Sequence, residues 1–195
     1  MRVVAKKSEF RPDKPRGGIL SKLYLTKKQR SSLLKWSLYG LVLLVLSVLQ
    51  DVILSRVRLY GASTELVPCG IFLICILEGS YTGSVFALAA SMAYLFSGTA
   101  PGTYAMVFIV ILAIGACVFR QAYLQNGFSA AMLCTAGAML AYELAVFAIG
   151  LFLGLTIPGR FAGFCITAVL SFLAAPVLYP IIRSIGTLGG GTWKE

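Results

Sequence analysis

"LVPCGIFLICILEGSYTGSVFALAASMAYLF", residues 66–96, is an almost unbroken apolar run with one soft point, "EGSYTG" at residues 78–83. As one helix it would extend about 46 Å, well beyond a hydrocarbon core of about 30 Å. Cut at the soft point it gives pieces of about 13 to 15 residues, short for ordinary spans. The second reading is preferred: two short helices hinged at Gly79 and Gly83, where the backbone is free and the side-chain profile minimal.

The rest of the chain sets the class. Of its 195 residues, 58% are hydrophobic, and the mean hydropathy is +0.87. Soluble domains are about 45–50% apolar, and a domain of this size has too little interior to hide the excess. The expected fold is an all-α, polytopic integral membrane protein, a compact bundle of about six helices. Span 1 covers Trp36 to Leu54, span 4 Tyr104 to Phe119, span 5 Phe128 to Leu155 and span 6 Arg160 to Ile182. Pro176 and Pro180 are placed to kink the last of these. Spans 2 and 3 are the short interrupted pair. The expected division is a basic flexible tail over 1–33, a membrane domain over 34–183 and a short tail over 184–195.

Charge is segregated. Eleven of the seventeen Lys and Arg residues lie in residues 1–35, Lys27, Lys28, Arg30 and Lys35 among them. Such a segment is held on the cytoplasmic side and attracts anionic membrane lipids; a docking arm for an acidic partner is the sharper alternative. Without an aromatic-interleaved module, a nucleic-acid role is not expected. The basic region is too long for a cleavable signal peptide, and no small-residue cleavage site follows it. With six spans both termini are cytoplasmic, and fourteen basic residues lie inside against three outside, Arg56, Arg58 and Arg160. Five spans would give twelve against five. The bias of basic residues to the inside favours six.

Polar groups within the apolar runs are the candidate functional residues. Span 1 closes on "LVLLVLSVLQDVILSRVRLYG", residues 41–61, in which Gln50 and Asp51 interrupt the aliphatic run. Gln50 can both donate to and accept from a neighbouring helix. Asp51 can pair with Arg58 or reach water. Glu143 sits near the middle of span 5, where a charge costs about 2.5–3.5 kcal/mol on insertion scales. It should face the bundle interior, as a structural hydrogen-bond partner or as a ligand or partner site. Glu78, at the turn between the short helices, and Glu65, at a span entrance, read as solvated. Three small-xxx-small pairs, Gly79 with Gly83, Gly150 with Gly154 and Gly159 with Gly163, read as helix-packing positions or a partner interface.

Several chemistries are not expected. No histidine is present, which removes Ser-His hydrolysis, H-E-x-x-H metalloproteolysis and His ligation of haem. Only Glu143 reads as clearly deep, so no carboxylate pair is expected, and no nucleotide-binding loop occurs. The five cysteines fit no zinc or redox spacing and read as small apolar packing residues. No cofactor, metal or enzymatic activity is expected.

The order of features resembles the rod shape-determining protein MreD family. Gln50 closes the first span in "VLQD", and a Pro-led second span follows in "GASTELVPCGIFLICILEG" with Pro68. The glycine-spaced pair "EGSYTGSVFALAASMAYL" comes next, then "SGTAPGTYAMVF" with Pro101 and Gly102, and Arg120 closes the fourth span. The resemblance covers about Leu34 to Leu155. It implies a non-enzymatic membrane subunit of the bacterial lateral cell-wall synthesis complex, required for cell shape. It also implies contacts with an MreC-like partner and, through it, with MreB, RodA and a penicillin-binding protein. The alternative is the substrate-binding S component of an energy-coupling-factor vitamin transporter, whose fold the short middle spans also resemble. That reading needs polar groups converging on a cavity, with Gln50, Tyr142 and Glu143 as candidates.

Overall fold

The computed structural model describes residues 27–52, 54, 64–124 and 127–188, and among these every regular element is helical. The order is α1 (Lys27–Val52), α2 (Leu66–Glu78), α3 (Ser80–Phe96), α4 (Thr103–Tyr123) and α5 (Phe128–Phe152), followed by a 3-10 turn (Pro158–Arg160), α6 (Phe161–Phe172) and α7 (Ala175–Leu188). Three helices, α1, α4 and α5, are each long and apolar enough to cross a membrane. The 3-10 turn with α6, taken together with α7, makes a fourth such segment, bent by 42°. This is the composition and build of a multi-pass membrane protein.

The short pair forms as expected. α2 is apolar on all sides, and a helix without a polar face belongs in the interior. Its residues Leu66 to Leu77 are all buried. It runs through the centre of the bundle, packed against α1, α3, α4, α5 and α7. At 13 residues it is about 20 Å long. Gly79 ends it at φ +95°, in the left-handed region that side chains disfavour. The chain then folds back as α3. A Cβ on Gly83 would lie 2.7 Å from the Cys75 carbonyl oxygen and 2.9 Å from its Cα, so α3 meets α2 backbone to backbone there.

The other glycine pairs are corrected. α5 ends at Phe152, so Gly154 is not on the helix face of Gly150; it sits in the following turn at φ +70°. Gly150 instead receives the chain folding back, with Thr156 Cγ2 3.1 Å from where its Cβ would be. Gly159 lies in the 3-10 turn and Gly163 in α6, and nothing stands within 4 Å of a Cβ at either. Their spacing does not mark an internal packing face.

Span 6 is two helices rather than one. The break at Leu173 and Ala174 precedes Pro176, which has no N–H and so suits the first turn of a new helix. Pro180 is carried inside α7. α1 begins at Lys27, so residues 27–33 are helical rather than part of a flexible tail, and α7 continues past residue 184. Residues 1–26, Arg56 and Arg58 lie outside the described residues, as do residues 189–195.

Candidate functional site

Burying α2 creates a debt at both of its ends, because a helix leaves its first N–H groups and last carbonyls without intrahelical partners. Side chains from neighbouring helices settle it. At the start, Gln50 Oε1 accepts from the backbone N–H of Leu66 at 2.8 Å and of Val67 at 3.1 Å. The next residue, Pro68, has no N–H to satisfy. At the end, Arg120 Nη1 donates to the Ile76 carbonyl at 2.6 Å, and Thr82 Oγ1 donates to that of Glu78 at 2.9 Å. The Gly79 N–H donates to the Cys75 carbonyl. Gln50 and Arg120, 8% and 6% exposed, are thus the caps of a helix to which neither belongs.

The Arg120 end of α2 also holds an ion pair. Lys35 Nζ lies 2.6 Å from Glu78 Oε2, and the side chains are 10% and 7% exposed. The Tyr39 hydroxyl donates to the other Glu78 oxygen. Trp36 and Tyr39 of α1 pack edge-on or tilted against each other and against Phe86 of α3 around the pair. Two expectations change here. Glu78 is not solvated at a turn, and Lys35 is not lipid-facing; the two satisfy each other inside the bundle. Arg30 is exposed, and Lys27 and Lys28 open α1.

The Gln50 end gathers a different set. Glu143 is 2% exposed, on the inner face of α5, beside Tyr142 at 0%. Glu65, just ahead of α2, lies close enough to Glu143 for the two carboxyl groups to repel. The hydroxyls of Tyr142 and of Tyr94 from α3 bear on Glu65 without closing a hydrogen bond of normal geometry. The Glu65 N–H donates to Ser171 Oγ at 2.7 Å, beside the break between α6 and α7. Asp51 is exposed on the last turn of α1, near Tyr94. Sequence reading placed Glu143 correctly but missed Glu65 and Tyr94, and the carboxylate pair it did not expect is present. The available signal was Glu65 immediately before a wholly apolar run: such a helix start is buried, and it draws one oxygen of the half-buried Glu65 side chain inward with it.

Four oxygens in this cluster are sealed and without hydrogen-bond partners: Glu65 Oε2, Glu143 Oε1, Tyr94 Oη and Tyr142 Oη. A substrate does not reach side chains 0–3% exposed without displacing helices. A guest here is on the scale of a proton, a water or a bare ion.

A third feature is a groove on the flank of the bundle. A cavity of about 420 Å³ opens between α1 and α3, lined by Gly40, Leu44 and Ser47, by Val67 of α2, and by Phe86, Ala89 and Ala93. The five cysteines are free, four of them buried, and no metal-ligating group of three or more occurs among the described residues. Compared with known proteins, the chain matches no family model, no curated protein and no solved structure.

Proposed function

We propose that the chain is a non-enzymatic membrane subunit of the bacterial lateral cell-wall synthesis complex, similar to the MreD family, and that it acts by contact with an MreC-like partner. On this reading it lies in the cytoplasmic membrane with six crossings, α2 and α3 being two of them, and both termini are cytoplasmic. Through the partner it joins MreB, RodA and a penicillin-binding protein. The basic residues before α1, with Arg30, meet anionic lipid.

The observation that carries the reading is where the polar groups are spent. Gln50, Arg120, Lys35 and Glu78 all serve to hold α2, and the open groove is lined by apolar and small residues. Helices in lipid associate through close packing, since lipid tails remove the hydrophobic drive between them. Ala89 and Ala93, one turn apart on α3 and both exposed, allow a partner's membrane helix to approach the backbone, with Gly40 opposite. Gln50 and Glu143 face inward, so they support this surface rather than form it.

The test is co-purification of the MreC-like partner with the wild type and with an Ala89→Leu/Ala93→Leu variant, normalised to folded protein. Both positions are exposed, so the bundle tolerates the change. Recovery should fall several-fold; equal recovery contradicts a partner seat in the groove.

One observation favours the S-component alternative: Tyr142 and Glu143 do converge with other polar groups in the bundle. It calls for saturable binding of a vitamin-sized ligand by the purified chain, lost in Glu143→Leu.

A further inference from the structure

The geometry points to a monovalent-cation site among Glu65, Glu143, Tyr94 and Tyr142, at the Gln50 end of α2. Four buried oxygens, from α3, α5 and the residue just before α2, lie close together, and none of them closes a hydrogen bond of normal geometry among the described residues. Tyr142, Glu143 and Tyr94 are 0%, 2% and 3% exposed, so bulk water does not satisfy them. Buried hydroxyls and carboxylates are almost always hydrogen-bonded, and a bound ion or water is one of the few things that accounts for an exception. Two carboxylates side by side cannot both stay charged in an apolar surround without a counter-charge.

Among the described residues, these groups bear on the pair. Asp51 comes from α1, Tyr94 from α3 and Tyr142 from α5, with Gln50 and Ser171 as neutral neighbours. None of these supplies a positive charge. Lys35 and Arg120 are committed at the other end of α2. One proton shared by the carboxyl groups leaves one negative charge, which one monovalent cation cancels. Ca²⁺ takes six to eight oxygens and Mg²⁺ a full octahedron, more than these four can supply in a sealed site. A monovalent ion accepts the smaller shell of two carboxylate and two phenolic oxygens.

The cation ties α2 to α3 and α5, so occupancy stabilises the fold by mass action. The experiment is thermal unfolding of the purified full chain in detergent. NaCl, LiCl or KCl is titrated against N-methyl-D-glucamine chloride at fixed total chloride, at pH 8 and at pH 5.5. At pH 8 at least one of the three ions should raise the midpoint saturably, by about 3 °C or more. At pH 5.5 the second carboxylate gains a proton and the rise should vanish. Glu143→Gln should abolish the ion effect. Tyr142→Phe and Tyr94→Phe, which keep the ring and remove one oxygen, should weaken the apparent affinity at least about threefold, and they keep the test open if Glu143→Gln fails to fold. A midpoint that follows pH with no ion dependence overturns the proposal in favour of a proton-only pair. An ion effect of equal size and affinity in the three variants places the ion elsewhere and also overturns it, as does a midpoint insensitive to both.

Discussion

At the scale of single residues, the structure makes opposites of two glycines that both lie within helices. Gly83 in α3 has no room: an added Cβ meets the backbone of Cys75 at 2.7 Å and 2.9 Å. Gly115 in α4 has nothing within 4 Å. Gly83→Ala should therefore destabilise by about 1–3 kcal/mol through overpacking. Gly115→Ala should be neutral or stabilising, by up to about 1 kcal/mol from helix propensity. Unfolding midpoints in detergent compare the two, and equal effects would deny the close crossing of α2 and α3. Gln50 supplies a second case. Gln50→Met keeps the volume and removes the acceptor for two N–H groups, so it should cost about 1–3 kcal/mol; an unchanged midpoint would show that those donors find another partner. An amide at the end of an aliphatic run was legible as a polar anchor. That its target is the start of the next helix was not, because sequence carries no record of which helix end lies beside it.

At the scale of elements, α2 was readable from composition alone, since a helix with no polar face has nowhere to go but inside. What holds it was not. Lys35 and Glu78 are 43 positions apart, and each alone reads as surface charge; only the folding of α2 alongside α1 brings them together. Their partnership sets a sign for mutation. Glu78→Gln leaves Lys35 buried with its charge uncompensated and should cost about 3–5 kcal/mol. Replacing both, Lys35→Met with Glu78→Leu, should recover most of that loss, because a buried pair is often no better than apolar side chains of like volume. A double-mutant cycle on unfolding midpoints measures this, and additive losses would mean that the two do not act as a pair. The glycine pairs on either side of residue 155 failed for a related reason. Four-residue spacing has packing meaning only on a continuous helix, and the chain breaks at Phe152 and again before Phe161.

At the scale of the whole molecule, the bundle is a set of helices arranged around one short buried helix, with polar clamps at both of its ends and an open apolar groove on one flank. The short helix pair and the hinge at Gly79 were legible from glycine placement; the division of span 6 into α6 and α7 was not. The cluster of Glu65 and Glu143 was not, because Glu65 looks interfacial until the inward-facing Glu143 of α5 is seen beside it. Six crossings predict that cysteines introduced near Arg120 and Thr192 in a Cys-free background are labelled only from the cytoplasm, and one at Thr99 only from outside; outside labelling near Arg120 would remove the six-crossing arrangement. The central claim is that the protein serves cell shape by contact. Its most direct measurement is cell width during depletion of the chain in its own host, with re-expression of the wild type or the Ala89→Leu/Ala93→Leu variant. The account predicts that depleted rods widen and round up, that the wild type restores them and that the variant does not. Unchanged width, together with loss of vitamin uptake, would contradict it.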